Sequence, residues 1–301
     1  MINHIPEFLY HLLIKQYGEN MTQTILDGYS QKRPLTLRAN TLKANIRNIK
    51  DTFDSLDFSY KDVSWYKDAL IMENISEEQI KHLEIYKNGE IYLQSLSSMI
   101  PPIILSPKEN ENILDMAAAP GGKTTQMLAI SQNKAFITAC EKNKIRAERL
   151  QYNLNKQDAN RVNVMIRDAR QLDDFFCFDK ILLDAPCSGS GTISIFDKKL
   201  ESTFTENLVN RSAKVQADLL KKAITLLKPG HEMVYSTCSI LSQENETILQ
   251  KFIDLKQIEI LPIDVSVFTN AILLPSSIKG ALCICPSDLY EGFFVAKLRK
   301  L

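Results

Sequence analysis

The chain has 301 residues, 45% of them hydrophobic, which is enough for one large α/β domain and a smaller one. Lysine plus arginine and aspartate plus glutamate number 36 each, so any polyanion site must be a local patch. With no apolar stretch of about 20 residues and six cysteines without a Cys-x-x-Cys pair, we expect a cytoplasmic monomer with no membrane attachment, reduced thiols and no bound metal.

The first part of the chain predicts mixed α and β structure. An apolar periodicity predicts a helix over Glu7–Tyr17, a strand follows at Leu35–Thr41, and a second helix covers Ile46–Leu56. A further helix begins at Ser76, because Ser76 and Gln79 form a capping-box pattern.

The stretch from Gln94 to Pro102 predicts a short connecting helix that ends at the paired prolines. The chain therefore divides into a smaller α+β domain, residues 1–93, and a larger domain, residues 94–301. Residues 1–50 hold seven lysines and arginines against three acids, and residues 131–170 hold nine against four. A solvated face explains these basic clusters about as well as phosphate contacts do.

The larger domain alternates short apolar strands with longer helical segments, which is typical of a parallel sheet covered by helices on both faces. The predicted strands are Asn112–Asp115, Ala135–Ala139, Val162–Ile166, Lys180–Leu183 and Met233–Ser236, and the predicted helices are Thr124–Ile130, Ile145–Lys156, Leu208–Leu227 and Glu244–Leu255. Ligands bind at the carboxyl ends of the strands in such sheets, and the informative motifs fall there.

The first of these motifs is the small-residue turn from Asp115 to Thr125. Small side chains let a ligand approach the backbone closely. Its end, Gly122-Lys123-Thr124, matches that of a phosphate-binding P-loop. The first P-loop glycine is replaced by Ala117, and Pro120 lacks an amide donor that a phosphate nest needs. A P-loop-like nucleotide enzyme is therefore the weaker alternative.

Two acids follow the next strands. Glu141 lies nineteen residues after Gly122, where doubly wound folds place an acid that binds ribose hydroxyls. Asp168 follows the third strand, where a carboxylate can accept from an adenine amino group or simply cap a loop. Together with the small-residue turn, the two acids favour an adenosine-containing cofactor.

Two cysteines occupy matching contexts at strand ends: Cys187 in Asp184-Ala-Pro-Cys-Ser-Gly and Cys238 in Tyr235-Ser-Thr-Cys-Ser. A single free cysteine is most often a small core hydrophobe. Two in polar, hydroxyl-rich loops favour reactive thiols instead.

With these motifs the chain resembles the Nop/Sun (RsmB-like) family of S-adenosylmethionine-dependent RNA cytosine-5 methyltransferases. The resemblance also covers Arg38-Ala-Asn-Thr-Leu-Lys, Gln94-x-x-Ser-Ser-Met and Glu291-Gly-Phe-Phe-Val-Ala, and so spans most of the chain. It implies a Rossmann-like class I methyltransferase domain, doubly wound around a mostly parallel sheet, with the smaller N-terminal domain positioning the RNA.

The resemblance also implies residue roles. Cys238 is the nucleophile that adds to carbon 6 of cytosine, Cys187 assists release of the adduct, and Asp184 lies near the methionine end of the cofactor or at the base. The implied cofactor site comprises Ala117, Ala118, Ala119, Pro120, Gly121, Gly122 and Lys123 in the loop, with Glu141 at the ribose, Asp168 at the adenine, Asp184 and a family arginine at Arg146. An ordinary helix-surface cation is an equal interpretation of Arg146.

The chain departs from the family pattern in three places: Ala117 where many members have cysteine, Glu141 where aspartate is commoner, and Leu282-Cys-Ile-Cys-Pro, which lacks an arginine before the proline. The last puts one RNA contact in question. The expected substrate is a cytidine in rRNA or tRNA, single-stranded or flipped out of a helix. The alternatives are the P-loop-like enzyme and a non-catalytic RNA-binding assembly factor.

Overall fold

The computed structural model describes residues 5–301. Its N-terminal part contains a four-stranded antiparallel sheet in the order β2-β3-β1-β4. The elements are α1 (Glu7–Tyr29), β1 (Leu35–Ala39), α2 (Ile46–Ser55), β2 (Tyr60–Asp62), β3 (Ala69–Met72), α3 (Glu77–His82), α4 (Glu84–Lys87) and β4 (Ile91–Leu93). The predicted capping box is confirmed, because Ser76 and Gln79 hydrogen-bond reciprocally.

The first helix is longer than predicted. It continues past Tyr17 to Tyr29 and only kinks at Gly18, where φ is +75°. Its apolar face, including Leu13 and Ile25, is fully buried in the same cluster as strands of the larger sheet. Tertiary packing therefore extends the helix, and α1 contacts the larger sheet although it precedes the predicted boundary at residue 93.

The prediction that the paired prolines end the connecting helix is wrong. Helix α5 (Leu96–Leu105) contains both Pro101 and Pro102. Pro102 cannot donate to the carbonyl of Ser98 one turn earlier, which would leave that carbonyl without its helical partner. The side-chain amide of Gln94 donates to it instead, at 3.0 Å, and so compensates the lost backbone bond.

The larger sheet has eight strands. The five predicted strands are present as β5 (Asn112–Asp115), β6 (Phe136–Cys140), β7 (Val162–Met165), β8 (Phe178–Asp184) and β9 (Leu227–Thr237), and every pairing among them is parallel. Three more strands were not predicted: β10 (Ile258–Leu261), β11 (Leu282–Ile284) and β12 (Phe293–Lys300). They pair antiparallel at one edge of the sheet.

The main path of the sheet is β10-β12-β9-β8-β5-β6-β7, with β11 beside β12. The remaining helices are α6 (Gly122–Ile130), α7 (Lys144–Lys156), α8 (Leu200–Thr203), α9 (Glu206–Leu226) and α10 (Glu246–Asp254). Alternate residues of β8 enter separate cores, Leu183 with α9 and Leu182 with α6, so both faces are covered. The predicted α/β architecture with a mostly parallel sheet and a small N-terminal domain is confirmed.

Strand order reverses at β5, which lies between β6 and β8. The carboxyl ends of β5 and β8 therefore flank the crevice where open α/β sheets bind ligands. No helix within residues 5–301 is long and apolar enough to cross a membrane.

Candidate active site

The loop between β5 and α6 forms the floor of the crevice. Asp115 ends β5, and its carboxylate accepts a 2.6 Å hydrogen bond from Thr124 in the first turn of α6. Burial raises the pKa of Asp115 to about 6. Gly121 adopts φ +109°, and a Cβ there would stand 2.9 Å from Leu150 of α7. Both the backbone conformation of the turn and the packing of α7 against it leave little room for side chains, which explains its small residues.

One cavity beyond this loop brings together most of the predicted adenosine contacts. Its lining includes Ala117, Glu141, Arg146 and Asp168, with apolar surface from Met116, Pro186, Val215 and Leu219. Glu141 is buried and accepts from the backbone NH of Asn143 at 2.8 Å. The carboxyl ends of β5, β6 and β7 thus supply one wall each.

Arg146 braces the cofactor loop. Its guanidinium donates to the carbonyl of Ala119 at 2.8 Å and lies 3.5 Å from the Glu141 carboxylate. It therefore joins α7, the loop and the acid after β6, although its side chain is 54% exposed. The sequence left its role open between a family residue and a surface cation.

Asp168 is already paired inside the protein. Arg170 binds its carboxylate through Nε and Nη2, with a closest distance of 2.6 Å. This hydrogen bonding lowers the pKa of Asp168, which stays ionised at neutral pH. The cavity wall at this position consequently presents a carboxylate and a guanidinium together.

A second cavity shares Ala117 with the first and extends toward the N-terminal part. Its lining includes Lys123 and Asp184 together with Tyr92, Gln94 and Ser98. Strand β4 and the start of α5 therefore contribute to the site, which the sequence motifs did not reveal. A Cβ at Gly122 would lie 3.1 Å from the Tyr92 ring, so close approach of the two parts also depends on this glycine.

Arg38 of β1 was also missed as a site residue. It is fully buried and donates to the Gly122 carbonyl at 3.1 Å, to Thr125 Oγ1 at 2.7 Å and to Gln94 Oε1 at 2.9 Å. The Tyr92 ring lies 5.0 Å from its guanidinium carbon, within cation–π range. Arg38 thereby fixes the small sheet to the first turn of α6, and only the three-dimensional contact shows it.

Lys123 and Asp184 form an ion pair across the crevice, with Nζ 2.7 Å from Oδ2. The other carboxylate oxygen accepts from Ser236 of β9 at 2.7 Å. Burial lowers the pKa of Lys123, but the negative charge of Asp184 and the hydrogen bond to it outweigh burial, and the net shift is upward. Lys123 is therefore a cation at neutral pH beside the cysteine pair.

The two cysteines predicted to be reactive meet at the ends of the adjacent parallel strands β8 and β9. Their sulfur atoms are 3.1 Å apart, and both side chains are partly buried. The hydrogen bond to Cys238, together with burial, raises the pKa of Cys187 well above the ordinary range of a thiol. Cys187 thus retains its proton beside the Cys238 sulfur, and either sulfur can donate the hydrogen bond between them.

Two cavities that share Ala117 bring together most of the predicted cofactor residues, from Asp168 to Asp184, and the cysteine pair lies at the ends of β8 and β9. Of the other cysteines, Cys140 is buried at the end of β6, next to Glu141, Cys283 and Cys285 are buried, and Cys177 is exposed. Within residues 5–301, no cluster of histidine, cysteine, aspartate and glutamate has an arrangement suited to a metal ion.

Known proteins share this architecture. Residues 102–299 match the family model described as 16S rRNA methyltransferase RsmB/F, and residues 5–77 match a ferredoxin-like domain of RsmF/B-like methyltransferases. A solved structure of a methyltransferase homolog from Pyrococcus horikoshii aligns with 98% of this chain and 95% of its own, at 32% identity and a TM-score of 0.84.

Two curated relatives are each 33% identical. The tRNA (cytosine(49)-C(5))-methyltransferase of Pyrococcus abyssi matches 90% of this chain and 89% of its own length. The ribosomal RNA small subunit methyltransferase F of Shewanella loihica matches 96% of this chain, which spans only 61% of that relative. These matches show that the chain belongs to the RsmB/F family of RNA methyltransferases, and the cysteine pair and the crevice agree with that assignment.

Proposed function

We propose that this protein transfers a methyl group from S-adenosylmethionine to carbon 5 of a cytidine in RNA, through a covalent cysteine–cytosine adduct. The observation that carries the proposal is the cysteine pair, 3.1 Å between sulfurs, beside the Lys123–Asp184 ion pair at the carboxyl ends of the strands. Membership of the RsmB/F family and the relatives named for cytosine-C5 methylation support it.

S-adenosylmethionine, when bound, supplies the methyl group. The small residues of the loop, Ala117 to Gly122, leave room for a ligand against the backbone, and Glu141 presents a buried carboxylate to ribose hydroxyls. Asp168, fixed by Arg170, is the acceptor assigned to the adenine amino group. Asp184 and Lys123 lie toward the end of the crevice where the methyl group must meet the base.

The chain's own residues then act on the cytosine ring. Carbon 5 is a weak nucleophile, and addition of the Cys238 thiolate at carbon 6 converts the ring to an enamine that attacks the methyl group. Addition raises electron density on the ring, which the positive charge of Lys123 would stabilise, and Asp184 in its protonated form would donate a hydrogen bond to ring nitrogen 3. Loss of the carbon 5 proton to water precedes elimination of the Cys238 thiolate, and Cys187 assists that release.

The target cytosine must leave a base stack to reach Cys238, at a cost of a few kcal/mol. We assign RNA positioning to residues 1–93, whose β4 contributes Tyr92 to the crevice. One relative is named for tRNA and another for ribosomal RNA, so both are substrate candidates. Action as a monomer and a cytoplasmic location stay predictions.

The activity is tested with methyl-labelled S-adenosylmethionine and two substrates in separate reactions, unmodified tRNA and small-subunit rRNA. We expect label in 5-methylcytidine of one of them. Calorimetric binding of S-adenosylmethionine but not ATP distinguishes this function from a P-loop-like enzyme. Cofactor and RNA binding without any label transfer would instead favour a non-catalytic assembly factor.

The order of the cysteines is tested by two substitutions. Cys238→Ala removes the only proposed nucleophile and should abolish transfer, whereas Cys187→Ala should accumulate an RNA-linked protein on a denaturing gel. The exposed Cys177 provides the matched control, because Cys177→Ala removes a thiol far from the crevice and should do neither. Methyl transfer by Cys238→Ala would show that the nucleophile is misassigned.

A further inference from the structure

A buried carboxylate lies directly behind the cysteine pair and belongs to none of the motifs that point to catalysis. Glu244 has no exposed surface and lies in the short helical turn before α10. One oxygen, Oε1, accepts from the backbone NH of Ser188 at 2.7 Å and from Gln216 at 3.2 Å. The other, Oε2, accepts from the hydroxyls of Ser188 and Ser239.

These serines are the residues that immediately follow the two cysteines. Ser188 is the neighbour of Cys187 on the loop after β8, and Ser239 is the neighbour of Cys238 on the loop after β9. One carboxylate therefore holds both cysteine loops one residue from each sulfur. The Glu244 backbone is itself fixed, since its carbonyl accepts from the hydroxyl of Tyr235 at 2.6 Å.

The charge of Glu244 is satisfied in an unusual way. Within residues 5–301 no lysine, arginine or histidine pairs with it, and its partners are hydroxyl, amide and backbone NH groups alone. Removing a charge from water costs several kcal/mol, and well-packed apolar residues often serve stability as well or better. Charge-assisted hydrogen bonds, in contrast, fix the direction of the groups that donate them.

We propose that Glu244 is a positioning residue, which holds the Cys187 and Cys238 loops at the separation needed for adduct formation and release. This inference rests on the proposed function for its effect on methyl transfer, but its effect on the two thiols is independent of RNA. Three further bonds join the loops: from Gly191 NH to the Cys238 carbonyl, between Ser190 and Ser239, and from Ile240 NH to Ser190 Oγ. Glu244 is the side chain that bonds to both loops at once.

The chain offers a matched control two residues away. Glu246 is also buried, but its carboxylate accepts from Ser276 and contacts neither cysteine loop. Glu244→Ala removes all four hydrogen bonds. Glu244→Gln keeps the shape, because its amide oxygen can replace Oε1 and its NH2 can donate to the two hydroxyls in place of Oε2.

The first measurement uses the free protein and diamide. Diamide takes one hydrogen from each thiol and becomes the hydrazine, while a bond forms between the sulfurs of Cys187 and Cys238; peptide mass spectrometry reports the rate. We expect Glu244→Ala to slow this cross-link about 10- to 100-fold, as loss of approximately 1 Å of alignment does in oriented reactions. Glu244→Gln should restore most of the rate, and Glu246→Gln should match the wild type.

The second measurement is single-turnover methyl transfer, normalised to sites that bind S-adenosylmethionine so that misfolded protein does not count. Glu244→Ala should lower the turnover rate by a similar 10- to 100-fold factor with about the same KM for RNA. Wild-type rates of cross-linking and transfer per folded site in Glu244→Ala would overturn the proposal, as would an equal loss in Glu246→Gln.

Should Glu244→Ala fail to fold, Ser188→Ala removes one of the four bonds, the one from the Ser188 hydroxyl to Oε2, and is expected to slow cross-linking about threefold or more. An unchanged rate in that variant would refute the positioning role. If the wild type methylates no RNA while the cross-linking rates change as expected, the proposed function fails and the role of Glu244 in holding the thiols stands.

Discussion

Two carboxylates at strand ends of this protein differ in how readily they ionise. Asp168 has a guanidinium against both oxygens, and its pKa is lowered. Asp115 has a hydroxyl from Thr124 as its side-chain partner, and burial raises its pKa to about 6. The two residues follow strands of the same sheet, so strand position alone does not determine whether an acid is easily ionised. Burial and the neighbouring donors together do.

Asp115 gives the folded state a specific pH dependence. Its pKa is raised on folding, so the folded state binds the proton more tightly, and stability from this group falls as pH rises from about 4 through about 6. The neutral isostere in Asp115→Asn removes that effect. Between pH 5 and 7.5 we expect the wild type to lose roughly 1 to 2 kcal/mol relative to Asp115→Asn, measured as the difference in urea unfolding free energy.

The opposite pH trend, or parallel curves for the two proteins, would show that Asp115 is ionised as readily in the folded chain as in the unfolded one. Asp168→Asn provides a comparison for the sign of this change of stability with pH. Its lowered pKa makes stability rise with pH over the acidic range, so the difference between wild type and variant should change in the other direction.

At the scale of elements, the turn between β5 and α6 is held from both sides. Arg38 from β1 and Arg146 from α7 each donate to a carbonyl of this turn or of the first residue of α6. The turn therefore has its shape before a ligand arrives, and preorganisation of this kind reduces the cost of binding. Gly121 is the position that this geometry makes hardest to replace.

Gly121→Ala should weaken both folding and cofactor binding. An L side chain at φ +109° costs about 1 to 3 kcal/mol, and its Cβ would press on Leu150. Gly230→Ala is the matched control, because φ is +75° there and no atom lies within 4 Å of the added Cβ. We expect both variants to lose stability in urea unfolding, and only Gly121→Ala to bind S-adenosylmethionine more weakly by calorimetry. If the two variants bound S-adenosylmethionine with equal affinity, the turn would not be part of the cofactor site.

At the scale of the whole molecule, the N-terminal helix is part of the core of the larger sheet. Tyr29, at the end of α1, is buried and donates to the carbonyl of Ser190 in the loop after Cys187. Gly28 packs against the backbone of Pro286, where a Cβ would come within 2.0 Å of the carbonyl oxygen. Residues 94–301 alone would therefore expose the apolar surface that α1 covers.

Gly28→Ala tests this contact. The added methyl group meets backbone that has to move, and overpacking of this kind costs typically 1 to 3 kcal/mol and sometimes more. Gly18→Ala in the same helix meets nothing within 4 Å and has only the strain of φ +75°. We expect Gly28→Ala to have the lower unfolding free energy of the two, and the fragment 94–301 to aggregate. A cooperatively folded fragment would mean that α1 is dispensable for the larger sheet.

The parallel strands, the small-residue turn and the cysteine motifs could be predicted from the sequence, because they depend on local apolar runs and on residues adjacent in the chain. The sequence did not determine the antiparallel edge strands or the full length of α1, since both depend on packing against distant elements. The sequence also did not explain how Pro102 is tolerated inside a helix, because the compensating hydrogen bond comes from the side chain of Gln94.

Which side chains meet depends on how the folded elements pack together. Cys187 and Cys238 are 51 residues apart, and their 3.1 Å separation follows from the pairing of β8 with β9. Arg38 reaches α6 across 84 residues of chain, and Glu244 reaches Ser188 across 56. Hydrogen bonds and sulfur contacts depend on distances of a few ångströms, which residue order does not specify until the sheet and its covering helices bring the loops together.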